Sequence, residues 1–267
     1  MTAHSVTPRH PLLPDRLRSC AVFVGSDDGL DRWPGLRSPQ EVAGALARVL
    51  TSLSRGAAFH RESTTLLLGP RRPAEILDAL REAAAQASDV LLFFYAGAGF
   101  PLERGLALGV AGTDPRRPAG TGVDLDEVAA VMRASTAARR AVVLDCAYAG
   151  LATSRCTGAA PAPSLLAAGS SSFSPMTDPF TETLVEGLTG GVQDGPEVLD
   201  LPTLRHAVEA AYARTRYCVE NEFIGGPSHV LLRGGGELAL GVNPAFGVPD
   251  RPGALPARPD VVDAQES

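Results

Sequence analysis

Six short apolar runs, most of them separated by stretches with helical periodicity, constrain this chain more than any other feature. The runs fall at 19–25, 64–69, 89–95, 141–146, 164–169 and 228–232, and helical patterns lie near 39–54, 73–87, 124–135, 180–190 and 202–217. Runs such as Asp89-Val90-Leu91-Leu92-Phe93-Phe94-Tyr95 and Ala141-Val142-Val143-Leu144 are short and apolar throughout, which is the pattern of strands buried on both faces. Buried strands alternating with helices predict an α/β fold: a three-layer sandwich with a mainly parallel sheet of about six strands and helices on both faces. Ser38-Pro39 supplies a cap and a first-turn proline for the first helix, and Thr181 and Thr203 sit at later helix starts.

A chain of 267 residues suffices for one large α/β domain with a well-buried core. Residues 1–17, with three prolines and little periodicity, read as a flexible leader, and residues 18–246 as the domain. The stretch 247–267, with Pro249, Pro252, Pro256 and Pro259, reads as a disordered tail. The net charge of −6 and the lack of a basic stripe argue against nucleic acid and against anionic membranes. The longest apolar run cannot span a bilayer and Met1-Thr2-Ala3-His4-Ser5-Val6 lacks a signal-peptide core, so a cytoplasmic location is expected. Cys20, Cys146, Cys156 and Cys218 show no Cys-x-x-Cys pairing and read as reduced thiols, with no metal site or cofactor expected.

Function is expected beyond the carboxyl ends of parallel strands. Two strand ends stand out there: Tyr95-Ala96-Gly97-Ala98-Gly99 and Asp145-Cys146-Ala147-Tyr148-Ala149-Gly150. Ala98 and Ala147 lie 49 residues apart, against about 50 between the His and the Cys of caspases. In these motifs and their spacing the chain resembles the caspase and metacaspase superfamily, in particular bacterial caspase-like proteins reading Tyr-Ala-Gly-His-Gly and Asp-Cys-Cys-Tyr-Ser-Gly. The resemblance extends over roughly residues 18–246 and implies a caspase-like sandwich.

On that resemblance Ala98 takes the place of the general-base His and Ala147 that of the nucleophilic Cys. The N–H groups of Gly99 and residue 147 take the place of the oxyanion donors. Alanine neither attacks a carbonyl nor transfers a proton, and removing nucleophile and base together costs on the order of 10⁶-fold in turnover. Side chains alternate along a strand, so Asp145 is expected to face the cleft with residue 147, and Cys146 to be a core thiol facing away. The resemblance implies that Asp145 and Glu41, with Ala96, form a pocket selecting Arg or Lys through a charge-assisted pair. Other roles stay open for both acids: capping backbone N–H groups for Asp145, and a solvated helix position for Glu41.

Three functions follow. The first is a pseudoprotease whose cleft holds a peptide or protein ligand without cutting, working with partner proteins of a bacterial defence or signalling system. The second is a cysteine endopeptidase cleaving after Arg or Lys, with its Cys and His replaced by Ala. Ala149 in place of Ser, and Gln40-Glu41 in place of Asn-Asp, favour the first, because a deliberate double substitution leaves them unexplained. The third is an unrelated nucleotide-binding α/β domain. Gly97-Ala98-Gly99 lacks the third glycine and the helix such a site needs.

Overall fold

The computed structural model describes residues 10–26, 38–52, 57–152, 162–169, 180–218, 229–249 and 251–256, with the side chains of 212–218 and 229 excepted. Six strands form the central sheet: β1 (Cys20–Gly25), β2 (Thr64–Leu68), β3 (Val90–Gly97), β7 (Arg139–Cys146), β8 (Ser164–Gly169) and β11 (His229–Arg233). Their order is β11-β8-β7-β3-β1-β2; every neighbouring pair is parallel except β11 with β8. Helices α1 (Pro39–Thr51), α4 (Phe180–Gly190) and α5 (Leu201–Cys218) cover one face, and α2 (Pro73–Gln86) and α3 (Leu125–Ala134) the other. This is the three-layer α/β sandwich expected.

The inner strands β1, β3, β7 and β8 are mostly apolar because each feeds two cores. Phe23, Leu92, Phe94, Ala96 and Val143 pack under α1, α4 and α5. Val22, Phe93, Tyr95, Leu144 and Cys146 pack under α2 and α3. Helix starts carry local signals. Ser38 and Glu41 close a reciprocal capping box on α1, with Pro39 in its first turn, and Asp124 accepts from the Asp126 N–H at the start of α3.

A three-stranded antiparallel sheet, β4 (Gly99–Leu102), β5 (Gly105–Leu108) and β6 (Val123–Asp124), follows β3 directly and was not anticipated. Four further short strands are β9 (Val192–Gln193), β10 (Val198–Asp200), β12 (Ala239–Val242) and β13 (Leu255–Pro256). Within the polar stretch 195–202, Val198–Asp200 form β10, paired antiparallel with β12.

Parts of both end segments make contacts with the body. From His10 onward the leader is fastened. The Arg139 guanidinium donates to the carbonyls of Pro11, Leu12 and Leu13, the Asp89 carboxylate accepts from the Asp15 N–H at 2.6 Å, and Leu13 is buried. Residues 251–256 of the tail lie against the body. Leu255 is buried, β13 pairs with β9, and the Arg251 guanidinium donates to the Pro244 carbonyl at 2.7 Å. Proline-rich segments carry no periodicity, but bonds from side chains to their backbone can still fix them. Residues 1–9 and 257–267 lie outside the described residues.

Candidate functional site

The two motif ends meet at the carboxyl edge of the sheet. Strands β3 and β7 pair Tyr95 with Leu144, Ala96 with Asp145 and Gly97 with Cys146, so Ala98 and Ala147 are the next residue on each strand. Beyond the register the contact continues. A Cβ added to Gly99 would collide with the Ala147 carbonyl oxygen and lie 3.3 Å from the Cys146 Sγ. Glycine at 99 is what lets the two backbones come this close. Both Ala98 and Ala147 are 7% exposed.

The Ala98 side is held by its neighbours. The Tyr95 hydroxyl lies 2.8 Å from the carbonyl oxygens of both Ala98 and Gly109, sharing its proton between them, and the Gly109 N–H donates to the Ala98 carbonyl at 2.9 Å. This ties the end of β3 to the residue that leaves β5. On the Ala147 side, Tyr148 has φ +59°, the left-handed region that non-glycine residues enter at a cost of roughly 1–3 kcal/mol. A 3-10 turn over Ala149–Ala152 follows, with Ala149 fully buried.

Cys146 is a core thiol, as strand alternation predicts. It is 4% exposed, and burial, reinforced by the neighbouring Asp145 charge, pushes it well above the ordinary thiol range. It does not replace a nucleophile at 147, because the thiolate is the reactive form. Cys20 is buried too, and burial raises it as well.

Asp145 sits on the α1–α4–α5 side of β7, and its carboxylate serves a helix. It accepts from both the N–H and the hydroxyl of Thr181 in the first turn of α4, and is 5% exposed. That is the capping role left open for it in the sequence. Glu41 is at the start of α1, where Oε2 accepts from the Ser38 N–H at 2.8 Å and its own N–H donates to the Ser38 hydroxyl at 3.2 Å. Ala96 is fully buried among the core residues under α1, and its carbonyl accepts from the Ser26 N–H at 2.9 Å.

Tyr95, Thr181 and Tyr148 are the structural contributors that the sequence left without a role. Tyr95 opens the first motif and Thr181 marks a helix start, so a signal existed for both, but their partners come from distant elements. The polar run Ser170-Ser171-Ser172-Phe173-Ser174 lies outside the described residues, as does Cys156. Among the described residues no helix is long and apolar enough to cross a membrane.

No protein-family model matches the chain, and no curated protein matches it in sequence. Among solved structures, pro-sf-caspase-1 is similar with a TM-score of 0.49 and 14% identity, over 86% of this chain and 96% of that one.

Proposed function

We propose that this chain is a caspase-like pseudoprotease: a domain that holds a peptide or protein segment beside Ala98 and Ala147 without cutting it. The observation that carries the reading is the junction itself. Two motifs with caspase spacing end on adjacent, registered strands, with Gly99 against Ala147, and both positions that would need a reactive side chain are alanine. The left-handed Tyr148 immediately after Ala147 supports it, since strained backbone collects at sites shaped for function. A cytoplasmic role with partner proteins of a defence or signalling system belongs to the same proposal.

Selection of Arg or Lys by Asp145 and Glu41 is not part of it. Both carboxylates hold helix starts, Asp145 that of α4 and Glu41 that of α1. The test is calorimetric titration of the unaltered chain with extended peptides, basic and acidic. Saturable binding without cleavage is expected, and flat titrations with both would remove the reading. A double variant, Ala98→His with Ala147→Cys, separates it from a working endopeptidase stripped of its side chains. The pseudoprotease reading expects no turnover, and cleavage after Arg or Lys would favour the endopeptidase.

A further inference from the structure

The segment from His10 to Asp15 is held to the body at two places, both apart from the main cores. The first is polar. Arg139 opens β7 and Asp89 immediately precedes β3; their side chains pair at 2.8 Å and are only 16% and 15% exposed. The guanidinium that grips Asp89 also donates to the carbonyls of Pro11, Leu12 and Leu13 at 3.3, 2.8 and 3.3 Å, and to the Glu237 carbonyl, ahead of β12, at 3.0 Å. Asp89 in turn accepts from the Asp15 N–H. The second place is apolar. Leu13, Val198 and Ala239 form a small cluster separate from the two cores, with Leu12 packed against it, and the Ala239 N–H donates to the Leu12 carbonyl at 2.9 Å.

The chain that follows this segment is fixed independently of it. The Arg18 carbonyl accepts from the N–H groups of Ser88 and Asp89, both at 2.9 Å, so the entry to β1 is tied to the start of β3 without the leader. Between the two anchorages lies a turn, closed by the Arg18 N–H on the Asp15 carbonyl at 2.9 Å, in which Leu17 is 78% exposed. Six residues with one small apolar anchor and one guanidinium, joined to the body through an exposed turn, have the sparse burial of a unit that opens locally. Three successive carbonyls of the segment are gripped by a single side chain, so that side chain governs whether the unit is shut.

We infer that residues 10–15 are a strap with Arg139 as its latch: the strap opens and closes as one unit about the turn at 15–18 while the central sheet stays folded, and opening uncovers Val198, Ala239 and the Glu237 carbonyl. Lysine does not replace the latch, because an ammonium pairs with Asp89 as a point charge and lacks the planar fork that spans the carboxylate and the carbonyls together. The strap lies at the amino ends of β3 and β7, away from the junction at their carboxyl ends, and does not depend on the proposed function.

Hydrogen exchange of the full chain, resolved to single amides, tests the inference. The Asp15 and Ala239 amides, whose bonds both cross between strap and body, are expected to show matching protection, at least about a hundredfold below that of Phe93 and Val143 in the middle of β3 and β7. Arg139→Lys is expected to lower the protection of Asp15 and Ala239 together, at least about tenfold, and to leave Phe93 and Val143 unchanged. Leu13→Ala removes the apolar anchor without touching the ion pair, and is expected to lower the same two amides together. Protection of Asp15 and Ala239 equal to that of the sheet overturns the inference. So does a variant that lowers the sheet amides by the same factor, or one that moves Asp15 and Ala239 separately.

Discussion

Replacing Gly99 with alanine tests the strand-end junction where the chain tolerates least change. The added Cβ would sit inside contact range of the Ala147 carbonyl oxygen, 3.1 Å from the Ala147 carbonyl carbon and 3.3 Å from the Cys146 Sγ. None of these is the free end of a flexible side chain. Two are backbone atoms, and the thiol belongs to a residue buried in the core. Relief therefore requires the backbone at 99 or at 147 to move by about an ångström, and overpacking of this kind costs roughly 1–3 kcal/mol. Gly236→Ala is the matched control, because a Cβ there meets nothing within 4 Å and the backbone is not left-handed. Alanine at 236 is expected to be neutral or stabilising by a few tenths of a kcal/mol through the unfolded chain, about the range seen at compatible sites. Urea unfolding followed by circular dichroism reads both, with a lower midpoint and an unchanged slope expected for Gly99→Ala. Equal midpoints for the two variants would refute the close approach of residues 99 and 147.

Three further outcomes follow from individual contacts. Thr181→Val removes the hydroxyl donor to Asp145 while keeping side-chain shape, and is expected to cost about 1–3 kcal/mol because a buried carboxylate loses a charge-assisted bond; urea unfolding checks it. For Asp89, burial pulls its pKa upward, but the Asp15 N–H and the Arg139 guanidinium outweigh that and hold it below the ordinary aspartate value of 3.8. A group depressed in the folded state stabilises above its unfolded pKa and loses that contribution as pH falls through the folded one. Unfolding midpoints should therefore drop on acidification below the ordinary aspartate range, and drop less in Asp89→Asn. Brief alkylation at mildly alkaline pH followed by mass mapping should leave Cys20 and Cys146 unmodified in the folded chain, and modify both in denaturant.

The central sheet and its helices were legible because the signal is repeated and local. The inner strands are mostly apolar, and helix starts carry Ser38-Pro39, Pro73 and Asp124, so those elements lie where the periodicity places them. The antiparallel β4–β5–β6 sheet was not, because Gly99-Phe100-Pro101-Leu102 is short, contains proline and alternates poorly. Its strand character comes from pairing Phe100 with Ala107 and Pro101 with Leu106. At the site, strand alternation was enough to turn Cys146 into the core, and the motifs fell at the ends of two neighbouring strands. They could not show that Asp145 is taken up by Thr181, 36 positions later, because that bond depends on where α4 docks. For the same reason, the clasp of Arg139 on Pro11–Leu13 was hidden inside a segment that looks featureless as sequence.

Peptide protection of a thiol placed at the junction measures the central claim most directly. An Ala147→Cys variant is alkylated with and without extended peptides, basic and acidic, and modification at position 147 is read by mass mapping apart from the native cysteines. A cleft that holds peptide beside this residue predicts slower modification, saturating with peptide concentration and unaccompanied by cleavage of the peptide. Modification at the same rate with and without every peptide would contradict the account.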